Sequence, residues 1–371
     1  MKGIQIVGMG HALPGKAVTN ADMERIVDTT DEWIQSRSGI ANRYVCTGEE
    51  RLTDLAVKAG AEALQRAGLA PADIDMVITA TCTAGFQVPS VACIVQKSLG
   101  LPSGIPAFDI NCACTGFIYG LQLVHALMNQ NQKQKYALLI GVEQISNFLD
   151  YTDRSTCVLF GDGAGAAVIK ATEEKRFFSH LAAEGDEEAL FAENMEVSSG
   201  AYAQTLSAQE SKNAESIKSL SVSKDRHRVE KEMSAGGYDR QDIVEMYPFI
   251  REKARITHLH MDGRKVFRFA TSKLAGEIEE LQSLSGVAAT EVDHIICHQA
   301  NKRIIEHVRK KWKLPEEKFF MNLQKYGNTS AASIPLVLYD LQEQGRLKSG
   351  DRVFCIGFGA GLTWGGAYLE F

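Results

Sequence analysis

Residues 68–78, GLAPADIDMVI, and residues 286–296, GVAATEVDHII, are two copies of one pattern. Both have Gly, Ala, an acidic residue, Asp and Ile at the same offsets, and both lead into an apolar run with the composition of a buried strand. An internal repeat indicates that one structural unit occurs twice in the chain. We therefore expect a fold built from two related halves.

The repeat continues beyond these segments. YALLIGVEQ at 136–144 is similar to RVFCIGFGAG at 352–361, and both are unbroken apolar runs typical of a strand that is covered on both faces. GDGAGAAVI at 161–169 corresponds to GLTWGGAYLEF at 361–371, since each has a Gly-rich turn followed by a strand. Helical patterns alternate with these strands. The sequence therefore predicts an α/β fold in which helices cover the sheets.

We place the boundary between the two halves after residue 172, so that residues 1–172 form one half and residues 173–371 form the other. The second half contains a polar segment at about 201–255 that has no counterpart in the first and is rich in Ser, Lys and Glu. This composition predicts an insertion that is partly mobile. It is typical of a solvated loop, and a binding module is the less common interpretation.

Composition and charge exclude several classes of protein. The chain has 371 residues, 45% of them hydrophobic, and a formal net charge of −6, which argues against general nucleic-acid binding. No apolar run reaches the length that spans a membrane, and Gly, His and Pro interrupt the N-terminal apolar run. The eight cysteines lie mostly in apolar segments, as expected for a reduced, cytoplasmic protein. Their spacing predicts no metal site.

Two of the cysteines lie in the stretch 109-DINCACTGFIYG-120, just before a predicted helix. The unpaired N–H groups and the dipole at a helix start lower a thiol's pKa, so Cys114 is a candidate nucleophile. Gly116 is expected to let the backbone come close to a ligand. Cys112 is expected to point into the core from the preceding strand. From these residues alone, a buried structural cysteine is still the more common interpretation.

Three further segments bring polar groups to the ends of predicted strands. His298 follows the strand at 293–297, where open α/β sheets bind their ligands, although a histidine buried in the core is the usual alternative. Asn328 lies in 326-YGNTSAASIP-335, where a helix cap is the alternative. The Gly-rich segment 357–366 can present backbone N–H groups to an oxyanion.

Together these segments resemble the β-ketoacyl-acyl carrier protein synthase III family of the thiolase superfamily. The resemblance covers nearly the whole chain except the insertion. It implies an α/β thiolase fold with a duplicated five-layer αβαβα arrangement, a homodimer, and no cofactor other than the coenzyme A thioester used as substrate. The motifs that carry it are 29-TTDEWIQSRSGI-40, 152-TDRST-156, CTGF, HQAN, GNTSAASIP and FGAGLTWG.

The resemblance also implies the chemistry of the site. Cys114 is the expected nucleophile and accepts an acyl group from an acyl-CoA, while the backbone N–H groups of Cys114 and Ala360 hold the oxyanion. His298 and Asn328 complete a Cys-His-Asn triad. Both are uncharged hydrogen-bond donors, which suit the enolate that forms when malonyl-acyl carrier protein loses CO₂. The product is a β-ketoacyl thioester, which starts fatty-acid synthesis.

The family's binding residues can be carried over in the same way. The resemblance implies that Trp33 and Arg154 sandwich the adenine of coenzyme A, and that other residues line the path of its phosphates and pantetheine: Arg37, Gly263, Phe267 and Asn301. Basic residues are expected to bind the acidic acyl carrier protein: Arg268, Arg303, Lys310 and Lys311. Val88 is expected to floor the partner subunit's acyl pocket, where many acetyl-using members of the family have Phe.

Several other functions compete with this interpretation. Cys355 resembles the second cysteine of biosynthetic thiolases, which condense without decarboxylation. A related acyltransferase of secondary metabolism would use the same acyl-cysteine with another acceptor. The glycines of GDGAG suggest a Rossmann-type nucleotide binder, but they lead into a strand and not into a helix. A catalytically silent scaffold that only binds carrier protein is the last alternative.

Overall fold

The part of the chain described by the structure, a computed structural model, is residues 2–192 and 258–371. Except for positions 192 and 258, these residues belong to one compact unit. The insertion predicted at about 201–255 lies outside the described residues. Among the described helices, none is long and apolar enough to cross a lipid bilayer.

A five-stranded sheet forms the framework of the first half, in the order β1-β7-β6-β4-β5. The strand pairs β1/β7 and β7/β6 are antiparallel, whereas β6/β4 and β4/β5 are parallel. A small hairpin, formed by β2 and β3, lies outside this sheet. The strands of the first half are β1 (Gly3–Ala12), β2 (Lys16–Thr19), β3 (Asn42–Val45), β4 (Met76–Ala80), β5 (Ala107–Ile110), β6 (Tyr136–Glu143) and β7 (Gly163–Thr172).

A four-stranded sheet in the second half repeats four strands of the first, in the order β11-β12-β13-β8. The pair β11/β12 is parallel, and the pairs β12/β13 and β13/β8 are antiparallel. In this repeat β11 corresponds to β4, β12 to β6, β13 to β7 and β8 to β1. The strands are β8 (Phe177–Asp186), β11 (His294–Cys297), β12 (Arg352–Gly359) and β13 (Gly361–Glu370), together with the short pair β9 (Leu190–Phe191) and β10 (His260–Met261).

The helices cover both faces of both sheets. Equivalent glycines end two of them: Gly68 ends α3 at φ 66°, and Gly286 ends α6 at φ 70°. This left-handed conformation has little cost for glycine, which explains why both copies of the repeat begin with it. The described helices are α1 (Asn20–Met23), α2 (Asp31–Ser38), α3 (Leu52–Ala67), α4 (Val91–Ser98), α5 (Gly116–Gln130), α6 (Gly263–Ser285), α7 (Lys302–Trp312), α8 (Leu323–Tyr326) and α9 (Ser333–Glu343).

Three hydrophobic clusters show how the helices and the two sheets are layered. One packs α3 and α4 against the outer face of the first sheet, and another packs α6 and α7 against the outer face of the second. The third lies between the sheets and contains α5 and α9. Successive strand residues alternate between clusters, as with Leu138 and Leu139 or Phe354 and Cys355. The predicted α/β fold with a five-layer αβαβα arrangement is therefore confirmed.

Candidate active site

The predicted nucleophile, Cys114, lies in a 3₁₀ turn, Ala113–Thr115, between β5 and α5. Ala113 has φ +45°, which is uncommon for a residue with a Cβ atom. The hydroxyl of Thr115 donates to the carbonyl of Cys112 at 2.7 Å, and its backbone N–H donates to the same oxygen at 3.1 Å. Cys114 is therefore held at the N-terminal end of α5, as predicted.

One expectation about this segment is wrong. Cys112 is half-buried and lies outside the three hydrophobic clusters, because β5 already ends at Ile110 and the alternation of a strand no longer applies. Gly116 lets α5 pack closely on β4, since a Cβ atom there would lie 2.9 Å from the Cβ of Ala80.

The ionisation of Cys114 also differs from the expectation. Its side chain is buried, and burial raises the pKa of the thiol to about 12. The nearby carboxyl group of Glu143 raises this pKa further, and only a hydrogen bond with Ser330 and the residue's own backbone lower it. Burial thus opposes the thiolate, and the described contacts of the thiol include no cation that would favour it.

His298 follows β11 directly and is almost completely buried. Its Nδ1 lies 2.7 Å from the Oγ of Ser333, at the start of α9. Its Nε2 is buried and has no hydrogen-bond partner among the described residues. Burial lowers the pKa of the imidazole to about 3, so the ring is neutral at physiological pH. His298 can therefore act as an uncharged donor or acceptor through Nε2.

Asn328 is fixed at both its backbone and its side chain. Its backbone N–H donates to Leu159 at 2.9 Å, and its carbonyl accepts from Gly161 at 3.0 Å. Its side-chain Oδ1 accepts a hydrogen bond of 2.9 Å from the backbone N–H of Ser330. With Oδ1 occupied, the NH₂ group is the end of the amide that can donate to a ligand.

The end of β12 connects the segments that carry Cys114 and His298. A Cβ atom at Gly359 would lie 2.8 Å from the backbone N of Cys114, and one at Gly357 would lie 3.6 Å from the Cβ of His298. The ring of Phe358 lies 5.4 Å from the imidazole, edge to face. Glycine at position 359 lets the strand approach the backbone of Cys114, whereas a Cβ atom at position 357 would make an ordinary contact with His298. Thr363 further joins this region to the cysteine turn, because its Oγ1 lies 2.8 Å from the Oγ1 of Thr115.

Ala360 lies in the turn that follows Gly359 and leads into β13. Its carbonyl accepts a hydrogen bond of 3.2 Å from the hydroxyl of Thr363. The turn begins next to Gly359, which lies against the backbone of Cys114. The two predicted oxyanion-binding segments are therefore neighbours.

Five of the six predicted coenzyme A residues line one pocket of about 220 Å³. The backbone carbonyl of Leu159, in the wall of this pocket, accepts from the backbone of Asn328, so the pocket lies next to the triad segment. The sixth residue, Phe267, lines an adjoining pocket that shares Gly263 and Asn301. The five residues of the first pocket are Trp33, Arg37, Arg154, Gly263 and Asn301.

The predicted adenine sandwich is closed in this structure. The guanidinium of Arg154 lies 5.1 Å from the centroid of the Trp33 ring and donates to the carbonyl of Asp28 at 2.9 Å. A ring held between two flat groups needs about 7 Å, which is twice the contact distance of 3.5 Å. Arg154 must therefore move away from Trp33 before adenine can enter between them.

The predicted carrier-protein residues lie on α6 and α7. Arg268, Arg303, Lys310 and Lys311 are all exposed. Arg268 and Arg303 line the pocket that contains Phe267, and the guanidinium of Arg303 lies 5.8 Å from the centroid of the Phe267 ring. Arg268 and Arg303 therefore lie at the outer end of the predicted coenzyme A path, and Lys310 and Lys311 lie further along the same helix as Arg303.

Val88 lies on the loop between β4 and α4 and is 83% exposed. Phe86 on the same loop is 50% exposed. Among the described residues, little covers Val88, and Phe86 is half covered. The loop thus projects an apolar surface into solvent, at the place where the sequence predicts a contact with a partner subunit.

Glu143, which is completely buried at the end of β6, was not among the residues predicted for the site. Its carboxyl accepts hydrogen bonds from the hydroxyl of Thr83 at 2.6 Å, from the backbone N–H of Cys82 at 3.2 Å and from the hydroxyl of Ser330 at 3.1 Å. Burial raises its pKa to about 7. The one signal in the sequence was an acidic residue that ends an otherwise apolar strand.

Cys355 is fully buried in the middle of β12, within the central hydrophobic cluster. Burial raises the pKa of its thiol to about 12. Cys355 thus packs among core side chains from the interior of a strand, unlike Cys114, which lies in a turn at a helix start. Within the described ranges, no group of three or more His, Cys, Asp or Glu residues could hold a metal ion.

The chain is similar to known proteins along its whole length. Two family models match: 3-oxoacyl-[acyl-carrier-protein (ACP)] synthase III at residues 108–185, and its C-terminal model at residues 283–371. The chain is 37% identical over 367 residues to the beta-ketoacyl-[acyl-carrier-protein] synthase III of Coxiella burnetii, covering 99% of this chain and 98% of that protein. It is 39% identical over 376 residues to that of Clostridium perfringens, with complete coverage of both.

A crystal structure shows the same relationship. The 3-oxoacyl-[acyl-carrier-protein] synthase III from Aquifex aeolicus superposes with a TM-score of 0.80 at 37% identity, and the match covers 100% of both chains. The fold is therefore the thiolase-like fold of these enzymes.

Proposed function

This chain belongs to the β-ketoacyl-[acyl-carrier-protein] synthase III family, the acyltransferases whose condensation starts fatty-acid synthesis, and we propose that Cys114, His298 and Asn328 carry out that reaction here. Family membership excludes the nucleotide-binder alternative, and the buried position of Cys355 argues against the thiolase alternative. The observation that carries the assignment is the neutral, buried His298, whose Nε2 has no partner among the described residues.

In the first half-reaction, the sulfur of Cys114 attacks the carbonyl carbon of an acyl-CoA. The negative charge that develops on the carbonyl oxygen is held by the backbone N–H groups of Cys114 and Ala360. The bond from carbon to the sulfur of coenzyme A then breaks, and coenzyme A leaves as the thiol. The close approach of Gly359 to the backbone N of Cys114 supports this arrangement of donors.

In the second half-reaction, a malonyl thioester binds next to the acyl-cysteine and loses CO₂. The electron pair of the broken carbon–carbon bond forms an enolate, which His298 Nε2–H and the Asn328 amide stabilise at the thioester oxygen. The enolate carbon attacks the acyl-cysteine carbonyl, the carbon–sulfur bond to Cys114 breaks, and the released thiolate takes up a proton from solvent to regenerate the thiol. A neutral imidazole suits this role, because it donates a hydrogen bond without offering a proton that the enolate would readily take.

The binding residues suggest which substrates reach this site. We propose that acyl-CoA enters through the pocket of Trp33 and Arg154, and that malonyl-acyl carrier protein docks on Arg268, Arg303, Lys310 and Lys311. A basic face around the pocket suits an acidic carrier protein, because opposite charges steer the encounter. We further propose a cytoplasmic homodimer, supported by the exposed apolar loop of Val88.

The test of this proposal is peptide mapping after incubation with acyl-CoA. The wild-type protein should gain the mass of one acyl group, and the label should map to Cys114. Cys114→Ala should lose both the label and the condensation activity, whereas Cys112→Ala, the matched neighbour, should keep both. An acyl group found on Cys112 or Cys355 would disprove the assignment.

The identity of the acceptor requires a second measurement. Release of CO₂ from malonyl-acyl carrier protein by acylated enzyme, together with a β-ketoacyl product, is the expected result. Transfer of the acyl group to an amine or alcohol without release of CO₂ would instead indicate a related acyltransferase of secondary metabolism.

A further inference from the structure

The buried carboxyl group of Glu143 has no role in the steps described above. It is 0% exposed and lies between two segments that are far apart in the chain: the turn that follows β4 and the turn that precedes α9. It accepts from hydroxyl and backbone N–H groups: Thr81 Oγ1 at 3.2 Å, Thr83 Oγ1 at 2.6 Å, Cys82 N at 3.2 Å and Ser330 Oγ at 3.1 Å. A carboxyl group with this many donors holds separate segments in one place.

Ser330 joins Glu143 to Asn328 through two different hydrogens. Its hydroxyl donates to Glu143 Oε1 at 3.1 Å, and its backbone N–H donates to Asn328 Oδ1 at 2.9 Å. Because the two donors are separate groups, both hydrogen bonds form at the same time. Ser330 is 1% exposed, so bulk water does not compete for either of them. A continuous hydrogen-bonded connection therefore runs from the end of β6 to the side chain of Asn328.

The backbone of Ser330 has a conformation that needs support. Its φ angle is +50°, in the left-handed region that residues with a Cβ atom seldom adopt. A hydrogen bond to a carboxyl group stabilises about as much as this conformation costs. β6 also lies against the next residue of the turn, since a Cβ atom at Gly141 would be 2.8 Å from the carbonyl carbon of Ala331. The end of β6 thus holds the turn of Ser330 at two points.

The Ser330 N–H decides which end of the Asn328 amide faces the substrate. The backbone of Asn328 is already fixed by Leu159 and Gly161, so rotation of the side-chain amide is what remains. An N–H donor pairs with the oxygen of that amide, so the NH₂ group points the other way. If the amide turned over, its oxygen would face the negative enolate oxygen and repel it. Decarboxylation therefore depends on a donor that stays at Oδ1.

We infer that Glu143 is a positioning residue for the decarboxylation of the malonyl thioester. Glu143 holds the Ser330 hydroxyl, Ser330 in turn holds Asn328 Oδ1, and the Asn328 NH₂ group is thereby kept ready to donate to the enolate. The inference rests on the proposed role of Asn328. In this role Glu143 neither contacts the substrate nor exchanges a proton with it.

The test measures the two half-reactions separately in the full-length protein. Wild type and variants are acylated with acetyl-CoA or, in parallel, hexanoyl-CoA, and single-turnover CO₂ release is then followed over a series of malonyl-acyl carrier protein concentrations. Ser330→Ala keeps the backbone N–H but removes the hydroxyl. Its maximal rate of CO₂ release should fall about tenfold, the size expected for one hydrogen bond, while the half-saturating concentration and the acylation rate stay the same.

A double variant tests whether Ser330 acts through Asn328. Asn328→Ala removes the amide, so the addition of Ser330→Ala should slow CO₂ release no further. A hydroxyl with a merely structural role would cause the same additional loss in both backgrounds. Such an additive loss would overturn the inference.

Two substitutions of Glu143 test the carboxyl group itself. Glu143→Gln keeps an oxygen for the Ser330 hydroxyl, and the hydroxyls of Thr81 and Thr83 can rotate to accept from its NH₂ group, so CO₂ release should stay near the wild-type rate. Glu143→Leu has a similar size but no acceptor, and its rate should fall as in Ser330→Ala. Equal rates in the two variants would contradict the inference. If Glu143→Leu does not fold, Ser330→Ala and the double variant decide.

Tyr339→Phe is the matched control, because it removes another buried hydroxyl that donates to a carboxyl group, that of Glu62 at 2.8 Å, and it should leave both half-reactions unchanged. Wild-type CO₂ release in Ser330→Ala would disprove the inference. An equal loss in acylation would also disprove it, because it would indicate damage to the whole site. If Asn328→Ala does not slow CO₂ release, or if wild type gains no acyl group, the proposed function has failed instead.

Discussion

His298 Nδ1 and Ser333 Oγ lie 2.7 Å apart, and this contact determines what the imidazole can do. The backbone N–H of Gln299 points to the same Oγ from 3.5 Å, which leaves the hydroxyl proton of Ser333 available for Nδ1. A donor at Nδ1 keeps the proton of a neutral ring on Nε2, the nitrogen without a partner among the described residues. In that tautomer Nε2–H is available to donate to the thioester of the proposed reaction.

His298→Ala and Asn328→Ala should keep acylation but lose most of the decarboxylation of malonyl-acyl carrier protein. The reason is that both side chains stabilise the enolate, which forms only in the second half-reaction. Acylation is measured by mass spectrometry, and decarboxylation is measured by CO₂ release from acylated enzyme. A loss of the same size in both half-reactions would contradict this division of roles.

Ser333→Ala should slow CO₂ release about tenfold, the size expected for one hydrogen bond worth about 1.4 kcal/mol. Nδ1 would then lack its donor, and the ring proton would no longer be held on Nε2. Ser333→Thr keeps the hydroxyl and should restore much of the rate. If acylation falls as much as CO₂ release, Ser333 serves the fold and not the imidazole.

His298 should make stability depend on pH below neutrality. Its pKa is about 3 in the folded protein and 6.5 as the reference value, so the unfolded chain binds a proton that the folded protein excludes. The stability from a neutral His298 is complete above pH 6.5 and is lost as the pH falls toward 3. Between pH 7 and 5 the loss should be about 2 kcal/mol, at 1.36 kcal/mol per pH unit.

Urea unfolding of wild type and His298→Asn at pH 7 and pH 5 measures this loss. Asparagine does not titrate, so all other groups contribute equally to the two proteins. The free energy of unfolding should fall by about 2 kcal/mol more in wild type than in the variant. The same decrease in both proteins would show that His298 is not held neutral by burial.

Gly359→Ala should reduce acylation by about 100-fold or more, since small displacements at a reacting centre have effects of this size. The new Cβ atom would lie 2.8 Å from the backbone N of Cys114 and 3.3 Å from the Cβ of Ala113, so the cysteine turn must shift. Gly276→Ala is the matched control, because its Cβ atom would meet nothing within 4 Å. That change should keep the rate and raise stability by about 0.5–1 kcal/mol. Equal acylation rates in the two variants would contradict the prediction.

If the loop between β4 and α4 forms the floor of the partner subunit's acyl pocket, Val88 should determine which length of acyl primer is preferred. A valine leaves more space than phenylalanine, and each extra buried methylene adds up to about 0.8 kcal/mol until the space is filled. The measurement is kcat/KM for acetyl-, isobutyryl-, hexanoyl- and octanoyl-CoA in wild type and Val88→Phe. Wild type should prefer a primer longer than acetyl, and Val88→Phe should shift that preference toward acetyl. An acetyl preference that the substitution does not change would rule the idea out.

The sequence by itself determined the duplicated α/β architecture and the residues expected at the site. The repeat at 68–78 and 286–296 predicted two equivalent units, and the two sheets share the order and direction of four strands. These features are readable because strand alternation and helix-ending glycines depend on neighbouring residues. The resemblance also predicted that Trp33, Arg37 and Arg154 contact one ligand, and the three residues line one pocket.

Only the tertiary structure decided how these groups are charged and held. No spacing in the sequence could reveal that Ser330 joins Glu143 across 187 positions, or that Arg154 lies directly on Trp33. The expected low pKa of the Cys114 thiol could not be checked from the sequence either, because it also depends on tertiary packing. A helix start can be read from local sequence, but the loss of water around a side chain depends on every segment that packs over it, and here that loss raises the pKa of the thiol.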